Sequence, residues 1–103
     1  MAVAEGTTPT FTLTFAQDSG VDLTQAAHVY VVFDGLKTIE KQDEDLTITE
    51  RSVSVYLSQN ETLSLANGAV GIQVNWTYDD GSRAASEIVQ YTFSGNLMGR
   101  VLE

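Results

Sequence analysis

The chain has 103 residues, 43% of them hydrophobic, and fourteen Asp and Glu against five Lys and Arg give it a net charge of -9. That length suits one domain whose core needs no staples. The absence of cysteine removes disulfides, thiolate zinc sites and a thiol nucleophile. The bases Lys37, Lys41, Arg51, Arg83 and Arg100 are scattered among acids, so the clustered cations that neutralise phosphates are missing and nucleic acid is not an expected partner.

Residues 1–7 carry no hydropathy pattern and are read as a loose N-terminal tail. They hold neither a basic stretch nor a long apolar run, and no later segment approaches the length of a membrane span, so neither a signal peptide nor membrane insertion is expected. A strand is predicted from about Thr8, with Pro9 at its start. Phe11, Leu13 and Phe15 point inward there, and Thr10, Thr12 and Thr14 outward.

Ala16 to Thr24 reads as a connection, pinned to the core by Val21 and Leu23. A central strand follows from about Ala27, with Val29, Val31 and Phe33 on one face and His28, Tyr30 and Val32 on the other. Asp34-Gly35 has the composition of a two-residue hairpin turn with positive φ at both positions, which predicts a return strand from Leu36 to about Lys41. After the acidic turn 42–45 come a short strand over 46–49 and a longer one over 53–57, its inward set being Val53, Val55 and Leu57.

Ser58 followed by Glu61 is a capping box, which predicts a short helical turn near 59–65, held by Leu63 and Leu65 and ended at Asn67-Gly68. The longest strand runs from Val70 to Tyr78, with Val70, Ile72, Val74, Trp76 and Tyr78 in one frame. Asp79 to Ser82 turns the chain into a partner strand over 83–93. There Val89, Tyr91 and Phe93 share a frame that Ile88 breaks, which predicts a bulge or a change of frame at that point. The domain is expected to span 8–95, with a short apolar C-terminal tail over 96–103.

No pattern of chemistry-bearing residues stands out. The acids at 43–45 and 79–80 lack the spacing of a calcium loop and read as solvated turns. His28 is the only histidine and reads as partly buried and structural. No nucleophile elbow or phosphate-cradling glycine run is present, and neither catalysis, a metal, a cofactor nor a small-molecule ligand is expected. Trp76, Tyr78 and Tyr91 form the one candidate glycan platform, against which stands a core role for Trp76 from its frame.

Gly6-Thr7-Thr8-Pro9-Thr10-Phe11 opening a strand, Val21-Asp22-Leu23-Thr24 before Val29-Tyr30-Val31, Val53 to Ser58 running into Glu61-Thr62, and Gly68 to Trp76 ending at Asp80-Gly81-Ser82-Arg83 follow one another in a particular order. In that order the chain resembles the small β-sandwich modules of phage tails and baseplates, notably the N-terminal domain of baseplate upper proteins of phages infecting Gram-positive bacteria. The resemblance implies a virion structural module, made in the bacterial cytoplasm, that docks on neighbouring tail subunits or on itself. Those baseplate proteins look longer, with further regions that attach receptor-binding parts, so a receptor-binding role is not implied and no functional residue is carried across.

Taken together, the expectation is an antiparallel β-sandwich of about seven strands, immunoglobulin-like in layout. It would act without catalysis, through protein contacts at Thr10, Thr12 and Thr14 and at the tail residues Leu97, Met98, Val101 and Leu102. The alternative is a carbohydrate-binding module that uses the aromatic platform.

Overall fold

The computed structural model describes residues 2–4, 7–16, 18–65 and 68–94. Strands β2 (Thr10–Thr14), β6 (Ser52–Tyr56) and β5 (Leu46–Ile48) form one antiparallel sheet in the order β2-β6-β5. The larger sheet runs β1-β9-β7-β3-β4, from β1 (Ala2–Ala4) through β9 (Val89–Ser94), β7 (Gly68–Thr77) and β3 (His28–Asp34) to β4 (Thr38–Gln42). The short β8 (Arg83–Ala85) pairs with the far half of β7. Three strands facing a sheet whose centre is β9-β7-β3 reproduce the immunoglobulin arrangement of B-E-D against G-F-C, with β4 added beyond C.

The alternating residues meet between the layers as their frames require. Phe11 of β2 lies against Phe33, Tyr91 and Phe93 of the opposite sheet, at ring-centroid distances of 5.5, 5.1 and 6.2 Å. Val31, Val53, Val55, Ile72 and Val74 complete a core that excludes water. Trp76 belongs to it, with Phe15 packed edge-on at 5.4 Å. Helix α1 (Gln59–Ser64) begins at the expected capping box, in which Ser58 Oγ accepts from Glu61 N and Glu61 Oε1 accepts from Ser58 N. The buried Thr62 hydroxyl donates to Thr7 O, tying this helix to the segment that leads into β2. Among the described residues no helix is long and apolar enough to cross a membrane.

Three local expectations are corrected. Residues 2–4, expected within a loose tail, form a strand parallel to β9, with Ala2 opposite Thr92 and Ala4 opposite Ser94. At the Asp34-Gly35 hairpin, Asp34 pairs with Thr38, so the loop is Gly35-Leu36-Lys37 and the return strand starts two residues later than Leu36. Neither Asp34 nor Gly35 has positive φ. Gly35 is required for another reason, because a Cβ there would stand 2.7 Å from the carbonyl oxygen of Leu65.

The third correction concerns His28. His28 is not partly buried; its side chain is 57% exposed, and it pairs with Asp43. Asp43 adopts φ 40, one of the few left-handed positions, and begins the 3-10 turn Asp43–Asp45 that carries the chain from one sheet to the other. Its carboxylate accepts from Val29 N at 3.0 Å and meets His28 Nδ1 at 2.8 Å, latching this corner to the start of β3. The expected stop at Asn67 lies outside the described residues. Gly68 has the left-handed φ expected of it, 116, and is the first residue of β7.

Candidate interaction surface

Strand β2 ends its sheet, and the polarity of its free edge follows from the ladder. Phe15 N donates to Arg51 O at 2.7 Å and Leu57 N to Pro9 O at 3.1 Å. Phe11 stands opposite Val55 and Leu13 opposite Val53 between them. Hydrogen-bonded pairs alternate along an antiparallel ladder, so the odd-numbered residues turn their N–H and C=O toward β6. The even-numbered ones, Thr10, Thr12 and Thr14, turn theirs outward, where no described strand lies.

Behind that edge the sandwich is open. Val53 and Val55 of β6 are 0% and 1% exposed, whereas the inward-facing Leu13 and Phe15 beside them are only half-buried. Across the gap stands Val89, which faces inward opposite Ile72 yet is 40% exposed. A groove of about 520 Å³ lies here, with Leu13, Phe15 and Ala16 on one wall and Val74, Ser86 and Val89 on the other.

A bulge shapes the second wall. Ser86 N donates to Val74 O at 2.8 Å, while Val89 is the partner of Ile72, so Glu87 and Ile88 together oppose Gln73. Two residues against one is the geometry of a bulge, which bends a strand and re-aims its side chains. Ser86 holds it in place, because its Oγ accepts from Val74 N at 3.0 Å and its carbonyl accepts from Gln73 Nε2 at 2.9 Å. The frame break at Ile88 anticipates this bulge; the groove beside it does not follow from frame alone.

The free edges differ in how they are guarded. Natural sheets blunt their edges with charge, proline or brevity. The edge strand β4 carries Glu40 and Lys41, β5 is three residues long, and β8 is three residues long and starts with Arg83. Strand β2 is five residues long, has no charged residue, and holds its only proline just before it, at Pro9.

Of the residues singled out from sequence, Thr10, Thr12 and Thr14 therefore lie together on this edge, their side chains exposed on the outer face, where Thr12 Oγ1 meets Ser54 Oγ at 2.9 Å. Leu97, Met98, Val101 and Leu102 lie outside the described residues. The glycan platform is not formed. Trp76 is 4% exposed and donates its Nε1–H to Tyr78 Oη at 2.9 Å, while Tyr91 turns into the sandwich against Phe11. Burial of the indole wins because Trp76 shares its frame with Val70, Ile72 and Val74.

The outer face of the large sheet has shallow depressions around Tyr30, Val32, Gln73 and Asn75. Its amides are partly engaged, Gln73 with Ser86 O and Asn75 Oδ1 with the Arg83 guanidinium at 3.0 Å. The carboxylates that titrate unusually are also tied to the fold. Asp43 is held low by Val29 N–H and by His28, and Asp80 by the Ser82 hydroxyl and N–H of its turn. Glu61 feels burial pushing it up, outweighed by Lys41 and the Ser58 N–H, so that it too lies below its ordinary value.

No protein-family model matches the chain, and no curated protein matches it.

Proposed function

We propose that this chain is a non-catalytic structural module that works through protein–protein contacts, with the edge of β2 as its contact line. The observation that carries the proposal is the outward set of backbone N–H and C=O groups at Thr10, Thr12 and Thr14, on an unguarded edge beside an open apolar groove. Each backbone bond made there adds about 0.5–1.5 kcal/mol net, so a few of them with groove burial sustain a stable joint. The order of motifs along the chain supports a place in a phage or prophage tail or baseplate, where rigid sandwiches join one another.

The test is incorporation. Particles sedimented from the encoding host after prophage induction are analysed by mass spectrometry, with the chain as wild type, Thr12→Val or Thr12→Pro. Thr12→Val keeps the outward N–H and is expected in the particles; Thr12→Pro removes it at a position that donates nothing to β6 and is expected to be lost from them. A chain absent from particles in all three forms overturns the tail assignment. Equal incorporation of both variants overturns the β2 edge as the contact line.

A further inference from the structure

We infer that the groove beside β2 receives an extended segment of a different protein, with apolar residues at alternate positions and Lys or Arg at its flanks. This rests on the reading of β2 as the contact line and names its partner.

The alternation follows from geometry. A strand added to the β2 edge sends every second side chain into the sandwich, about 7 Å apart. Those side chains meet the half-open Leu13 and Phe15 on one side and Val89 on the other. The remaining side chains emerge beside Thr10, Thr12 and Thr14, where small hydroxylated or β-branched residues pair best. The segment covers inward-facing apolar surface that the chain's own described strands leave open.

Charge selects against a second copy. Among the described residues that line the groove Glu87 is the one that is charged, and the chain as a whole carries -9. Two copies joined at this edge would bring like charges together, whereas a segment with cationic flanks is drawn to the rim at Glu87.

The probe is a pair of synthetic peptides, Ac-KTVTVTK-amide and its twin with glutamate in place of both lysines, titrated into the isotope-labelled full chain and followed by NMR. The lysine peptide is expected to shift the resonances of Thr12, Thr14, Ser86 and Val89 and to bind about three- to tenfold more tightly than its twin, a difference that shrinks in high salt and in Glu87→Gln. A lysine peptide whose central threonine is replaced by proline is expected to lose binding. The inference is overturned by equal affinities of the twins, by shifts confined to other surfaces, or by no shift up to millimolar peptide. It is equally overturned if the groove is already filled in the free chain, by a second copy seen in light scattering or by residues 96–103 seen through cross-peaks to Val89. Failure of the peptides while Thr12→Pro alone is lost from the particles discards this partner and leaves the proposed function standing; equal incorporation of Thr12→Val and Thr12→Pro removes the β2 edge as the contact line and discards both.

Discussion

Gly35 lies against the end of helix α1, its Cα so close to Leu65 that an added Cβ would stand 2.7 Å from the Leu65 carbonyl oxygen and 3.2 Å from Val70 Cγ2. The same carbonyl accepts from Leu36 N at 3.2 Å, so the β3–β4 loop is bonded directly to the helix end. Backbone cannot yield as a flexible side chain does. Gly35→Ala is expected to cost about 1–3 kcal/mol in chemical denaturation, with resonance shifts at Leu65 and Val70. A cost within about 0.5 kcal/mol, the range of an ordinary surface change, would contradict this contact.

The Trp76 indole N–H gives its hydrogen bond to Tyr78 Oη from a position that solvent barely reaches. Tyr78→Phe keeps the ring and deletes the acceptor, leaving a buried donor alone. The expected cost is about 1–2 kcal/mol in chemical denaturation, and the wild-type Trp76 emission is expected to be blue-shifted and unchanged by added glycans.

Glu61 joins α1 to β4 through Lys41 Nζ at 2.6 Å while closing the capping box. Its folded pKa lies below the unfolded one, so its stabilisation is complete above the ordinary value of 4.5 and disappears as pH falls through the folded value. Gln preserves the cap but not the ion pair. The stability gap between wild type and Glu61→Gln is expected to be about 1 kcal/mol near neutral pH and to close as acid protonates Glu61. Comparing the two proteins at each pH cancels most of the change in overall charge; a gap that widens in acid would contradict the assignment.

Ser86 is the residue on which the bulge turns. Ser86→Ala removes the acceptor of Val74 N and is expected to cost about 1–2 kcal/mol, whereas Ser86→Thr, which retains the hydroxyl, is expected to stay close to wild type. Equal losses in both would point to side-chain size rather than the hydrogen bond.

The strands were legible because burial on one face writes itself into alternate residues. Phe11, Val29, Val31, Phe33, Val53, Val55, Ile72 and Trp76 all sit where their frames place them. The capping box was legible because Ser58 and Glu61 are three residues apart and act on each other. What escaped depends on residues distant in the chain. Gly35 answers to Leu65, His28 to Asp43, and β1 to β9, and no local pattern announces such partners. The candidate surface divides the same way: the threonine edge follows from alternation in β2, but the half-open state of Leu13, Phe15 and Val89 depends on which strands the fold places beside them.

Amide hydrogen exchange on the isolated full chain tests the open edge most directly. The N–H groups of Leu13 and Phe15, bonded into β6, are expected to exchange slowly, and those of Thr12 and Thr14 quickly, as solvent-facing amides do. Alternation of slow and fast along β2 is the predicted result; Thr12 and Thr14 protected as strongly as Leu13 would show the edge already paired and would contradict its role as the free contact line.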